Sequence, residues 1–195
     1  MVRKWIEGFF AKGTSPLDRF ARIILGYHGC EPEFAESLVR GEIVINAWQP
    51  SRNPYDWLGH GVYFWEHAPH RAAKWGGRGG VIGAVIQLGV CLDLTETRFT
   101  SLLAAVYQSL RRSYKIQDKP LPKNRGKRRD LDCLVMNEVM ASAQEGGGSP
   151  FQTVRSPFLE GRPAFPGSGI RRESHIQIAV IDTSCILGVF RPNLG

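Results

Sequence analysis

Residues 58–75, LGHGVYFWEHAPHRAAKW, concentrate the side chains best suited to chemistry. Three of the chain's five histidines and two of its five tryptophans lie there. His67 and His70 stand three apart, so on a helix they share a face and could begin a metal site. Such a centre needs further ligands, and no cysteine or aspartate stands in register nearby. No metal is expected, and both histidines read as polar residues at a helix start. A Cys–His nucleophile is no better supported. Cys30 follows Tyr27-His28-Gly29, but a glycine separates ring from sulfur and no third residue orients them. There is no Gly-x-Ser-x-Gly elbow, P-loop or dinucleotide-binding glycine loop. Cys30, Cys91, Cys133 and Cys185 lie far apart with no Cys-x-x-Cys pair, so buried reduced thiols are expected.

What remains is carried by strands. Tyr27, His28 and Gly29 end one strand-like run just before a helix, and GVYFWE (61–66) does the same before a second. Alternation puts Val62, Phe64 and Glu66 on one face and Tyr63 and Trp65 on the other. One face, with Phe64, is core; the other can line a cleft. An imidazole, a glycine backbone and a tyrosine ring can together grip a flat, amide-bearing heterocycle.

The elements that must position these residues follow from pattern. A short helix opens at PLDRFARII (16–24) and passes into the strand RIILGYHG. PEFAESLVRGE is a helix, with Pro32 in its first turn and Gly41 stopping it. HAPHRAAKW is helical, with Pro69 near its start. GGVIGAVIQLG is a buried strand. TRFTSLLAAVYQSLRRSY is a helix facing inward through Leu102, Leu103, Val106 and Leu110. RDLDCLVMNEVMASAQ is another, through Leu131, Leu134, Val135 and Val139. EGGGSP breaks the chain. FQTVRSPFLEG reads as an edge strand because Pro157 has no amide to donate. GRPAFPGSGI is a loop, SHIQIAVID a central strand and CILGVFRP the last one. This is one α+β domain spanning 1–195.

Composition agrees: 195 residues, 43% apolar and 22% charged, suffice for one core. No apolar run approaches the roughly 20 residues of a membrane span. The N-terminal stretch, broken by Glu7 and Lys12, is not read as a signal peptide, and a cytoplasmic location, with no membrane partner, is expected. The net charge is +7. Much of the excess falls in 111–130, with Arg111, Arg112, Lys115, Lys119, Lys123, Arg125, Lys127, Arg128 and Arg129. That segment reads either as a solvated basic loop or as a nucleic-acid contact.

Tyr27-His28-Gly29, a helix, and then LGHGVYFWEHAPHRAAKW resemble the NAD-binding core of ADP-ribosyltransferases of the diphtheria-toxin and poly(ADP-ribose)-polymerase branch. In that branch one strand ends in His-Gly and a second reads Gly-(Ile/Val)-Tyr-Phe. The resemblance implies split antiparallel sheets flanking an NAD cleft. Gly29 would hold the carboxamide of NAD through its backbone, and His28 would bond the adenosine ribose. Tyr63 would stack on the nicotinamide, and Trp75 would form an opposite wall. Tyr27, His60 and Arg71 would edge the pocket, His70 and Arg71 lying near where the branch often has a serine. The branch's glutamate, at the start of a later strand, is matched by Gln177, with His175 two residues earlier. A glutamine can bond a ribose hydroxyl but cannot act as a base; a histidine can. Glu160 and Glu173 are the nearby acids, and Glu160 is favoured because a strand would hold it.

The resemblance covers 22–90 and, loosely, 151–190; residues 97–145 form a helical, basic insertion outside it. It implies a mono-ADP-ribosylating toxin or phage-defence effector with RNA or DNA as acceptor, and an antitoxin or immunity protein as partner. A transferase acting on protein, a catalytically inactive NAD- or nucleic-acid-binding module, and a plain structural domain are the other readings.

Overall fold

The computed structural model describes residues 22–76, 79–145 and 151–194. The helical turn expected to open at Pro16 and the glycine-rich break at 146–150 lie outside these residues. Seven strands form one sheet: β1 (Ile23–Cys30), β2 (Val62–Glu66), β3 (Gly80–Gln87), β4 (Cys91–Asp93), β5 (Thr153–Phe158), β6 (His175–Val180) and β7 (Ile186–Phe190). Their order is β4-β5-β6-β2-β1-β3-β7. All pairings are antiparallel except β4 with β5. Four α-helices accompany the sheet, α1 (Pro32–Val39), α2 (Pro69–Gly76), α3 (Thr97–Ile116) and α4 (Asp130–Glu145). The fold is α+β.

Instead of the expected split sheets flanking a cleft, the strands form one hydrogen-bonded sheet with a narrow waist. β1 pairs β3 along its whole length, from Ile23↔Gln87 to Cys30↔Gly80. With β2 it pairs only at Gly26↔Glu66 and Tyr27↔Trp65. Both strands continue past that point, but their ladder does not.

β5 is not an edge strand. It lies between β6 and the three-residue β4, which sequence pattern had missed. Pro157 is tolerated because β4 reaches only Thr153, Val154 and Arg155, so on that side no partner asks for the missing amide.

Side chains pack on both faces. Val62, Phe64, Ile82, Ile86, Ile178 and Val180 form one core with Leu38 of α1 and Trp48. Phe64 is fully buried, worth about 2–3 kcal/mol relative to exposure. The other face meets α3 and α4 through Leu92, Val154 and Ala179. On α3, Leu102, Val106 and Leu110 are buried with Phe99, whereas Leu103 only borders the core. On α4, Val135 and Val139 are buried with Cys133, Met136 and Ala143. Leu131 and Leu134 are only partly covered, so the inward stripe is rotated from the expected one. A third cluster, Trp65, Ala72 and Val81, sits under α2. All four cysteines are free, Cys133 and Cys185 buried and Cys30 and Cys91 half-buried.

Arg155 on β5 binds Glu66 of β2 at 2.6 Å and Asp93 of β4 at 3.3 Å, across the sheet. Asp93 feels opposing effects. Burial raises its pKa, but hydrogen bonds from Thr95 and the charge of Arg155 outweigh this and hold it low.

Candidate functional site

His28 and Tyr63 flank the waist between β1 and β2, on opposite faces of the sheet. His28 faces the first core, its ring edge-on to Trp48 at 5.0 Å and tilted against Phe64 at 5.8 Å. Its Nδ1 lies 2.7 Å from the backbone carbonyl of Tyr63. A carbonyl only accepts, so Nδ1 carries the proton and Nε2 keeps a lone pair. Burial lowers the pKa of His28, partly opposed by that same bond, and the ring is neutral at pH 7. The imidazole thus caps the waist just where the β1–β2 ladder stops.

Tyr63 points to the opposite face. Its hydroxyl donates to the Gly59 carbonyl at 2.8 Å and accepts from the Leu58 amide at 2.9 Å. Burial pushes the phenol pKa up, so the hydroxyl stays protonated. The hydroxyl is thus held by the 58–59 backbone, and the ring packs partly against the core shared with α3 and α4. His60 turns instead to α4: its amide donates to Asn137 Oδ1 at 3.0 Å, and its Nε2 lies 3.3 Å from Asn137 Nδ2.

The β2–β6 register sets Trp65 opposite Gln177 on the Tyr63 face. Gln177 Oε1 accepts from Trp57 Nε1 at 2.6 Å, which leaves the glutamine amide as a donor. His175 begins β6. Its Nδ1 is 2.7 Å from the Glu173 carbonyl, so this nitrogen also carries the proton and Nε2 the lone pair. Its ring stacks on Phe158 at 5.5 Å and lies 6.5 Å from Trp65. Burial lowers its pKa, opposed by the bond to Glu173 and assisted by the charge of Arg71.

Trp65 Nε1, Arg71 Nε and His175 Nε2 are buried and have no hydrogen-bond partner. A buried polar atom left unpaired costs about 1–3 kcal/mol.

Arg71, expected at the cofactor, has both terminal nitrogens committed. One binds Glu160, and the other binds Glu173 at 3.0 Å, which also receives Lys74 at 2.9 Å. Glu173 is held below the usual carboxylate range by Lys74 first and Arg71 second. The reason given for favouring Glu160 does not hold. β5 ends at Phe158, so Glu160 lies past the strand and is fixed by Arg71 rather than by a ladder.

Tyr27 is on the Tyr63 face, edge-on to Phe190 at 6.1 Å and partly packed with the Trp65 cluster. Gly29 continues β1 beyond the waist, paired with Val81. Trp75 is 68% exposed, and its ring is 5.7 Å from that of Trp65, which makes Trp65 its immediate neighbour.

The basic residues form a separate region. Arg111 and Arg112 are exposed near the end of α3; Lys123, Arg125, Lys127 and Arg128 are exposed in the loop before α4, and Arg129 is half-buried. The loop turns through paired backbone bonds between Arg125 and Arg128. Arg128 also binds Asp130 at 2.7 Å and lies over the Tyr55 ring at 4.8 Å. Asn124 Oδ1 accepts from the amides of Leu131 and Asp132, tying the loop to the start of α4.

Sequence reasoning missed Trp57, Phe158 and Asn137. The Trp57–Gln177 and His60–Asn137 pairs span 120 and 77 residues, and such pairs leave no local signature. Among the described residues, no three His, Cys, Asp or Glu side chains gather so as to hold a metal ion. None of the described helices is long and apolar enough to cross a membrane. Comparisons with protein-family models, with curated proteins and with solved structures each return no match.

Proposed function

We propose that the chain is an NAD-dependent mono-ADP-ribosyltransferase acting on nucleic acid. One observation supports this above the rest. The strands bearing His28, Tyr63 and Gln177 are neighbours, β1, β2 and β6, and the β1–β2 ladder stops where His28 meets the Tyr63 carbonyl. Past that stop the two strands are unpaired with each other, with His28 on one face of the sheet, the Tyr63 ring on the other and Gly29 in the backbone between. That is the set a bent dinucleotide with an aromatic carboxamide requires.

In this reading NAD is a substrate. Its nicotinamide stacks on Tyr63, with the carboxamide against the Gly29 backbone, and His28 Nε2 accepts from a ribose hydroxyl. Gln177, oriented by Trp57, donates to the nicotinamide-side ribose. The glycosidic C–N bond breaks and its electron pair leaves with neutral nicotinamide. The ribose carbon becomes cation-like, and holding it in place supplies most of the rate enhancement. The acceptor's nucleophile bonds that carbon and its proton passes to His175 Nε2. Glu160 acts only if its ion pair with Arg71 opens. The +7 charge and the exposed cations of 111–128 favour a polyanionic acceptor.

The test supplies labelled NAD with separate RNA, DNA and protein pools. The expected result is nuclease-sensitive label in a nucleic-acid pool, lost with Tyr63→Ala and kept with Glu160→Gln. Absence of both transfer and nicotinamide release would overturn the reading. A protein acceptor is the second reading, favoured by Leu159, Phe165 and Ile170, which are 77%, 61% and 67% exposed on the segment between β5 and β6. Label removed by protease alone would establish it.

A further inference from the structure

Asn137 of the helical insertion grips the loop that precedes β2. Asn137 Oδ1 accepts the His60 amide, and Asn137 Nδ2 donates to Cys133 Sγ at 3.3 Å and lies 3.3 Å from His60 Nε2. Just before His60, the Leu58 amide and Gly59 carbonyl hold the Tyr63 hydroxyl. The Gly59 carbonyl and the His60 amide belong to one peptide group, so the two grips meet on it. The fit is close: a Cβ on Gly59 would stand 2.9 Å from Asn137 Oδ1. The same loop is tied down twice more. Cys133 Sγ lies 3.5 Å from the Asn53 carbonyl, and Arg128 covers Tyr55.

Cys133, His60 and Asn137 are residue types of a cysteine nucleophile set, but they are not wired as one. The Asn137 amide stands between the thiol and the imidazole. Burial, reinforced by the charge of Asp56, raises the pKa of Cys133, which keeps the thiol protonated. The arrangement holds a loop and does not activate sulfur.

We infer that Asn137 is a positioning residue for Tyr63, acting through the 58–60 loop, so that α4 sets where the stacking ring lies. This rests on the reading of Tyr63 as the nicotinamide platform. The alternative is that Asn137 only helps α4 pack.

A double-mutant cycle on NAD affinity, by calorimetric titration of the full chain, separates the two. Tyr63→Phe keeps the ring and removes the hydroxyl through which the loop holds it. Asn137→Ala and Tyr63→Phe are each expected to weaken NAD about fivefold, and the double variant to be no weaker than the poorer single one. Asn137→Asp keeps an oxygen for the His60 amide and is expected to recover most of the affinity. Melting curves identify any variant that fails to fold, and Asn137→Asp then carries the comparison with Tyr63→Phe. Losses that multiply in the double variant, or Asn137→Asp as poor as Asn137→Ala, overturn the inference. Tyr63→Ala separates this failure from the larger one. If it binds NAD as well as wild type, the platform reading falls and the inference with it. If it loses NAD while the cycle is additive, only the inference falls.

Discussion

His28 and His175 are held neutral on opposite faces of the sheet, each by burial and each with Nδ1 on a carbonyl. In both, the folded pKa lies below the value of 6.5 for a free side chain. Between the folded value and 6.5 the unfolded chain therefore binds more protons, so stability rises with pH there. The contribution is complete above that window, is lost as pH falls through it, and is constant below. Glu173 and Asp182 are depressed carboxylates and lose their contribution only below their ordinary values of 4.5 and 3.8. The two effects are thus separable. Urea midpoints should fall as pH drops below about 6.5, and His28→Gln with His175→Gln together should flatten that fall. An unchanged slope in the double variant would mean that neither imidazole is desolvated as described. The same shift bears on chemistry. If His175 Nε2 takes the acceptor's proton, the acid limb of the transfer rate lies below the pH at which a free imidazole protonates.

At the scale of elements, the turn before β2 is constrained both by backbone conformation and by a close neighbour. Gly59 has φ +82 and faces Asn137, while Gly41, after α1, has φ +74 and open space around it. Gly41→Ala meets backbone strain alone, about 1 kcal/mol. Gly59→Ala adds a clash and should lose about 2–3 kcal/mol in denaturant unfolding. Equal losses would show that the loop gives way freely and that Asn137 does not grip it. The segment between β5 and β6 is fastened differently, by Arg71 on α2. These pairs are partly exposed, so Arg71→Ala should cost under about 1 kcal/mol. It should nonetheless speed tryptic cleavage at Arg171 and Arg172. Unaltered cleavage would place the segment's order in its own backbone bonds, such as Ala164 to Ile170.

How much of this could be read beforehand follows from range. β1, β2, β3 and β6 announce themselves through runs of β-branched and aromatic residues, and α3 through its apolar spacing. β4 is three residues long and carries no pattern. β5 was misplaced because Pro157 suggests an edge, and only the register shows that β4 stops short of it. In the site, His28 and Tyr63 were legible as a pair from their motifs. The roles of Trp57, Arg71 and Asn137 depend on partners 77 to 120 residues away, which only the folded sheet brings near.

For the whole molecule, the question is whether the +7 charge is a binding surface or a solvated one. The cations of the loop before α4 are not equivalent. Arg128 is engaged with Asp130 and Tyr55 and helps hold the 53–60 loop, so its removal would confuse binding with positioning. Lys123, Arg125 and Lys127 are exposed and suit the test. Each phosphate contact contributes about 0.7–0.9 to the slope of log affinity against log salt. Replacing all three with alanine should lower that slope for RNA or DNA by roughly two to three. Because the loop runs directly into α4, a polyanion bound there and NAD bound at Tyr63 would share one rigid element. Affinities linked in this way change reciprocally. Short RNA should therefore tighten NAD by the factor by which NAD tightens RNA, and both factors should vanish with Asn137→Ala. If the triple variant keeps the wild-type salt slope, the cations are a solvated face. The acceptor is then to be sought among proteins, at the exposed Leu159, Phe165 and Ile170.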